Sequence, residues 1–336
     1  MKLFQRLLVA PAALGLMAPL AANADISAIS SDSDLSSEVT QARVDGVEAQ
    51  LGELMAGQFS SSTKMSGKAA FITGYVDDDA ESDTDSITME YMYQLNMNTS
   101  FTGEDMLYTR LKAGNVSDHF VDKGQGTYLS AGKNTSDALK VDKIWYQFPV
   151  GENNTIYLGP KVENYYMHAT TPSLYSPTLK QFTLGGNAAA YGASTNAGAG
   201  WAYNADNGFA VSSNVVSQQN ATSSGFLTNQ SKTSWATQVG YTQPQYSVSA
   251  IVNMKYNGWT DSYFSTAKGY SRSSNSATGN STNIGLRGWW RPENTGEAVP
   301  SISVGYDTSE TDATNNDSTS AYFLGLTWQD IFSADD

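Results

Sequence analysis

Apolar and polar side chains alternate along this sequence in segments of roughly 11 residues, a length at which a tilted strand crosses a bilayer. In residues 87–97 every odd position is apolar, and the even positions are mostly polar. Residues 246–256 repeat the pattern. Because successive side chains of a strand point to opposite faces, each segment predicts a strand with one apolar and one polar face.

Weaker copies of the same pattern follow along the chain and predict an all-β protein. The predicted strands are residues 68–76, 87–101, 106–114, 140–150, 154–162, 198–203, 208–216, 234–242, 246–256, 282–291, 301–307 and 321–328. Aromatic residues near strand ends are expected to form interfacial girdles. These residues are Phe101, Tyr241, Tyr256, Trp290 and Trp328.

The connections between the predicted strands differ in length in a regular way. Short links follow every second strand, at 102–105, 151–154, 204–207, 243–245 and 292–300. The other links are mostly long and polar, at 77–86, 115–139, 163–197, 217–233, 257–281 and 308–320. Short periplasmic turns and long external loops are typical of a transmembrane antiparallel β-barrel. The alternative is a β-sandwich, such as a secreted adhesin or surface-layer protein that binds glycans.

If the apolar faces contact lipid, the opposite faces line a lumen. The predicted pore-lining residues are Arg110, Lys112, Lys143, Trp145, Lys161, Lys255, Arg287, Trp289 and Arg291. A row of cations and aromatic rings favours passage of sugars or small anions. A second interpretation is that this charge only keeps the lumen hydrated. The 163–197 loop is expected to fold inward as a constriction.

Charge and motif content exclude several function classes. With 19 Lys+Arg against 33 Asp+Glu the net charge is -14, whereas a nucleic-acid binder carries the opposite sign. No cysteine is present, so thiolate metal sites and cysteine nucleophiles are excluded. His119 and His168 belong to no metal-binding motif. We therefore expect no enzymatic activity, no metal and no cofactor.

The amino-terminal part is predicted to contain three segments before the barrel. Residues 1–24 have the basic start, apolar stretch and small-residue end of a signal peptide, and 25–37 read as a flexible linker. Residues 38–58 predict a short amphipathic helix with apolar residues at coiled-coil spacing. That helix is interpreted either as a trimerising or spacing element, or as a helix lying against another part of the molecule. Residues 59–336 are assigned to the barrel.

Two stretches resemble cyanobacterial outer-membrane porins of the carbohydrate-selective porin superfamily. In residues 44–71 a short helical segment leads through QFSSSTK into the first strand, and 323–336 (FLGLTWQDIFSADD) resembles a strand and turn of such proteins. The resemblance implies a channel in the outer membrane, in contact with its lipid and assembled as a homotrimer, that passes small hydrophilic solutes such as sugars and inorganic ions.

The sequence departs from that family in two places. Family members commonly carry a surface-layer homology module before the helix, where this chain has only residues 25–37. Family barrels end on further strands and a terminal aromatic residue, where this sequence has SADD. The expectation is either a truncated barrel or one that closes with about twelve strands, fewer than the roughly 16 of general porins.

Overall fold

The computed structural model describes residues 62–75, 86–116, 120–121, 127–186, 188–192, 194–218, 225–259, 279–294, 296, 298–312 and 318–330. The predicted signal peptide, linker and amphipathic helix lie outside these residues.

Twelve strands form one antiparallel sheet, and their order in the sheet is their order in the chain. They are β1 (Thr63–Gly74), β2 (Thr88–Thr99), β3 (Met106–Gly114), β4 (Lys140–Val150), β5 (Asn154–Glu163), β6 (Thr195–Asn204), β7 (Phe209–Ser217), β8 (Thr233–Gln243), β9 (Tyr246–Tyr256), β10 (Ser281–Trp290), β11 (Ser301–Thr311) and β12 (Ser318–Thr327). The alternation therefore predicted each of the twelve strands that the described residues contain. The largest differences are at the start of β1, which begins at Thr63 instead of residue 68, and at the end of β11, which ends at Thr311 instead of residue 307.

Because every strand pairs antiparallel with its chain neighbours, the short connections all join strands at one end and the long connections join them at the opposite end. A two-sheet sandwich is therefore the wrong alternative for this chain. Register shifts mark β-bulges in β3–β4, β4–β5 and β5–β6. A bulge adds a residue to one strand and changes which face the following side chains occupy.

The outer face of the sheet is apolar and exposed. Val248 is 55% exposed, Leu286 49% and Val304 47%, and these residues come from adjoining strands. Burying apolar area is worth about 25 cal/mol per Å², so such a face is unfavourable in water. A barrel that spans a bilayer presents the same kind of band to lipid.

Part of the inner face is covered by residues 164–194, which we name the inserted loop. It contains a 3₁₀ helix (Asn164–Met167), a kinked 3₁₀ segment (Lys180–Gly185) and a short α-helix (Ala188–Tyr191). Within the described residues, no helix reaches the length and apolar character needed to cross a bilayer.

Apolar side chains are buried between the sheet and the inserted loop. In one cluster Met167 of the loop packs with Tyr108 and Trp145 of the wall. In the other, Tyr191 packs with Ile251. The core therefore lies between the inner face of the sheet and the inserted loop.

Candidate pore constriction

The inserted loop begins by following the inner face of β7 and β8. The backbone N–H of Ala169 donates to Ser212 Oγ over 3.1 Å, and that of Thr170 donates to Gln238 Oε1 over 3.0 Å. Both acceptors are buried side chains of the inward-facing set. Polar residues on this face thus supply the partners that the loop backbone requires.

The next part of the loop contacts β10 and β11. Trp289 Nε1 donates to the carbonyl oxygen of Thr171 over 3.1 Å. The N–H of Leu174 donates to Ser303 Oγ over 2.9 Å. The ring of Tyr175 then approaches Phe323 of β12, with ring centroids 5.8 Å apart.

The loop then turns to the 115–139 connection between β3 and β4. The hydroxyl of Ser130 donates to the carbonyl oxygen of Pro177 over 2.6 Å. The backbone N–H of Ser130 donates to the carbonyl oxygen of Thr178 over 2.7 Å. The N–H of Lys180 donates to the carbonyl oxygen of Tyr128 over 2.7 Å. Since the preceding residues contact β7 to β12, the loop extends from one side of the sheet to the other and fits the expected constriction.

A second crossing returns the loop to β10 and β11. Arg287 Nε donates to the carbonyl oxygen of Leu184 over 2.8 Å, and its Nη2 lies 2.8 Å from Asp307 Oδ1. Leu184 has a φ of 67°, a left-handed conformation that is uncommon for residues other than glycine. Gly305 of β11 lies directly against the carbonyl oxygen of Gly185, so close that a Cβ atom there would collide with it.

His168 joins the two ends of the inserted loop to each other and to β7. Its Nε2 is 2.8 Å from the carbonyl oxygen of Tyr191, and its Nδ1 is 3.2 Å from Asn214 Nδ2. A neutral imidazole donates through one nitrogen and accepts through the other, which satisfies both contacts. Burial lowers the pKa of His168 to about 4, against a smaller upward effect of the hydrogen bond to Tyr191.

A group of charged side chains lies where β3, β4 and the end of β5 meet. Asp142 Oδ2 accepts from Arg110 Nε over 2.7 Å, and its Oδ1 accepts from Lys133 over 3.2 Å. The Nζ atoms of Lys112 and Lys143 are each 3.9 Å from Asp142 Oδ2. Arg110 and Lys143 are buried. Four cations from three different parts of the chain therefore surround one carboxylate.

Glu163 is the second carboxylate of this group. Its Oε2 accepts from Arg110 Nη2 over 2.7 Å, and its Oε1 is 3.7 Å from Lys143 Nζ. Lys180 of the inserted loop lies over the ring of Tyr128, with its Nζ 5.6 Å from the centroid. Burial lowers the pKa of Lys180 to about 8. We name Arg110, Lys112, Lys133, Lys143, Asp142 and Glu163 the charged cluster.

Aromatic rings beside the charged cluster are packed against one another. The centroids of Tyr108 and Trp145 are 4.2 Å apart, and those of Trp145 and Tyr166 are 5.1 Å apart. Trp145 is only 2% exposed, whereas Tyr166 is 40% exposed. The Trp145 ring therefore anchors the loop to the wall, and Tyr166 presents its ring to solvent.

Most of the predicted pore-lining residues lie on the inner face. Those on the inward parity of their strands and largely buried are Arg110, Lys112, Lys143, Trp145, Lys255, Arg287 and Trp289. Two of these side chains also hold the loop, since Arg287 donates to the carbonyl oxygen of Leu184 and Trp289 to that of Thr171.

Lys161 and Arg291 are placed differently from the expectation. The bulge between Gly159 and Val162 puts Lys161 in register with Ile144 of the outer face, and Lys161 is exposed. Arg291 follows the last residue of β10 and donates from Nε to the carbonyl oxygen of Pro244, in the turn between β8 and β9, over 2.6 Å.

The sequence reasoning missed other charged residues that contribute to the inner face. Lys64 and Lys68 share the inward parity of β1, since they pair with Asn98 and Gln94. Lys68 is the first residue of the predicted strand 68–76, so the period-two rule already covers it, whereas Lys64 lies in β1 only because that strand starts at Thr63. For Lys133 and Lys180, which lie in connections, the sequence contains no comparable signal. No group of three or more acidic or histidine side chains able to hold a metal ion occurs in the part of the chain that the structure describes.

The sequence matches the family model described as carbohydrate-selective porin, OprB family, over residues 21–334. An uncharacterised protein of Nostoc sp. is 32% identical over 157 residues, which cover 44% of this chain and 27% of that protein. An uncharacterised protein of Synechocystis sp. is 30% identical over 158 residues, covering 45% and 29%. The chain therefore spans less than a third of the length of these relatives.

Solved outer-membrane proteins are similar in structure. The high-pH structure of Pseudomonas putida OprB has a TM-score of 0.50 and 10% identity, covering 80% of this chain and 71% of that one. A loop L8 deletion mutant of OmpT from Vibrio cholerae has a TM-score of 0.45 and 13% identity, covering 80% and 78%. The first of these similarities supports the barrel fold.

Proposed function

Because the chain belongs to the carbohydrate-selective porin, OprB family, we propose that it forms a passive channel for small hydrophilic solutes, including sugars and inorganic ions. The family and the fold place the protein in the outer membrane and indicate a channel rather than an enzyme. The inserted loop would narrow the lumen, and the side chains that fix the loop would set its width.

One observation carries this proposal. The inserted loop contacts the inner face of the sheet from β7 to β12 and also the 115–139 connection. A loop held across the interior at both ends narrows a water-filled barrel. Since charged residues remain on the inner face beside it, the opening would discriminate by charge as well as by size.

Planar-bilayer recording with the purified, refolded protein tests the proposal. We expect stepwise increases in conductance in KCl, each step marking the insertion of one channel. Heat-modifiable mobility on SDS gels reports separately whether the barrel has folded. Folded protein that produces no steps would overturn the proposed function.

Assembly as a homotrimer is a further part of the proposal. It is supported by the coiled-coil spacing of Val44, Val47, Leu51 and Leu54 in the sequence. Chemical cross-linking of the membrane-inserted protein tests it, with a band at three times the monomer mass expected. Only monomers and dimers at saturating cross-linker would contradict it.

A further inference from the structure

Positive charge exceeds negative charge in the charged cluster. Four cations, Arg110, Lys112, Lys133 and Lys143, lie within 4 Å of Asp142, and two of them also contact Glu163. Two carboxylates against four cations leave a formal surplus of two positive charges. Charges held away from bulk water are poorly screened, so this surplus attracts a counter-ion.

Arg110 and Lys143 are the least accessible cations of the cluster. Arg110 bonds both carboxylates through Nε and Nη2. Lys143 Nζ donates to Thr195 Oγ1 over 3.0 Å. The side chains of both are less than a tenth exposed. These contacts indicate that Arg110 and Lys143 mainly stabilise the sheet.

Lys112 and Lys133 are more accessible. Their side chains are 16% and 33% exposed, respectively. The 3.9 Å between Lys112 Nζ and Asp142 Oδ2 is longer than a hydrogen bond. An ammonium group has three donors, and one carboxylate cannot satisfy all the donors of the cations that surround it. Lys112 and Lys133 therefore retain donor capacity toward solvent.

The register of β1, β2 and β3 brings another lysine to this position. Lys68 pairs with Gln94, and Gln94 pairs with Lys112, so the three residues form a row across the inner face. Strands are about 4.8 Å apart, which puts the two lysine backbones roughly 10 Å from each other. Lys68 is exposed. Flexible four-carbon side chains can bring both ammonium groups to one small ion between them.

We propose that Lys112 and Lys133, with Lys68 across Gln94, form a binding site for a small inorganic oxyanion such as phosphate or sulfate on its way through the lumen. A tetrahedral oxyanion offers several acceptor oxygens to ammonium donors that approach from different directions. Rings of Arg and Lys side chains are a recurrent feature of anion and phosphate pores. This inference rests on the proposed function and names the class of solute that the channel favours.

Reversal potentials and block by inorganic phosphate in planar bilayers test the inference. For the unmodified protein we expect anion selectivity in a KCl gradient and a KCl conductance that falls as phosphate is added. Lys112→Gln should weaken the block about tenfold, the loss expected for one charged hydrogen bond. Lys112→Gln combined with Lys133→Gln should weaken it further, and Lys112→Arg should retain it.

Lys161→Gln is the matched control, because it removes the same charge from the exposed outer face of β5. It should leave both selectivity and block unchanged. Channels that open in steps but select cations, or that phosphate does not block, would overturn the oxyanion site and leave the proposed function intact. Equal loss of block in Lys161→Gln and Lys112→Gln would also overturn it. Folded protein without conductance steps would instead overturn the proposed function.

Discussion

Arg287 of β10 donates a hydrogen bond from its Nε to the backbone carbonyl oxygen of Leu184, over 2.8 Å, and thereby holds the inserted loop against the wall. Asp307 of β11 orients the same guanidinium through the 2.8 Å contact at Nη2. Both charged side chains are 1% exposed. A single buried ion pair therefore supports the wall and fixes the position of the loop.

Replacing Arg287 should loosen the loop and destabilise the barrel. Arg287→Gln removes the contact with Leu184 and leaves the buried Asp307 without this cation, a change that typically costs about 3–5 kcal/mol. We expect a lower thermal midpoint and a larger, noisier single-channel conductance. Arg287→Gln combined with Asp307→Asn should recover most of the stability but not the conductance, because the loop contact stays absent.

Arg291→Gln is the control for that pair, since Arg291 is exposed and lies beyond the end of β10. Its thermal midpoint and conductance should match those of the unmodified protein. Unmodified conductance in the Arg287 variants would show that this contact does not fix the loop.

The close approach of Gly305 to the loop backbone gives a steric test. A Cβ atom at this position would collide with the carbonyl oxygen of Gly185. Gly305→Ala should therefore displace the loop and raise the conductance without removing any charge. Gly288→Ala provides the control, because a Cβ atom there would meet no atom closer than 3.5 Å. If both variants conduct alike, the loop does not depend on this contact.

Arg110 and Lys133 contact the same carboxylate but should differ greatly in their contribution to stability. Arg110→Met leaves buried Glu163 and Asp142 without their main donor, which should cost about 3–5 kcal/mol. Lys133→Gln removes a partly exposed partner and should cost less than about 1 kcal/mol. Urea unfolding in lipid vesicles measures both. Equal losses would contradict the assignment of Arg110 to the wall and of Lys133 to the lumen.

Acid should release the inserted loop through His168. In the docked loop the pKa of His168 is lowered to about 4 by burial, whereas a solvated histidine has a pKa of about 6.5. The released state therefore binds more protons between these values, so docking is fully favourable above about pH 6.5 and weakens as the pH falls toward 4. Conductance should rise over this range.

His168→Gln should remove the pH-dependent part of that rise. His119→Gln is the matched control, since His119 is the other histidine of the sequence. An unchanged acid response in the His168 variant would assign the effect to other groups.

The alternation of side chains predicted the sheet because each barrel strand places apolar side chains on one face and polar side chains on the other along its whole length. Inward placement of Arg110, Lys143 and Arg287 followed from parity alone. The rule failed at Lys161, where a bulge between Gly159 and Val162 reverses the faces. Such a bulge depends on how neighbouring strands and the loop pack, which local alternation does not encode.

The contacts of the inserted loop were less predictable than the strands of the sheet. A long connection between β5 and β6 indicated a constriction, yet its contacts depend on the carbonyl oxygen of Leu184, on the close approach of Gly305 and on the half-buried His168. These are backbone and packing relationships between residues far apart in the sequence. Trp145 illustrates the consequence, since parity placed it toward the lumen and the inserted loop covers it.

The most direct test of the central claim is single-channel conductance with and without the inserted loop. A variant in which residues 171–186 are replaced by a short Gly-Ser linker keeps every strand and should still show heat-modifiable mobility. We predict stepwise conductance for the unmodified protein and larger steps for the variant in the same KCl solution. Equal step sizes for the two proteins would contradict a lumen that the loop constricts.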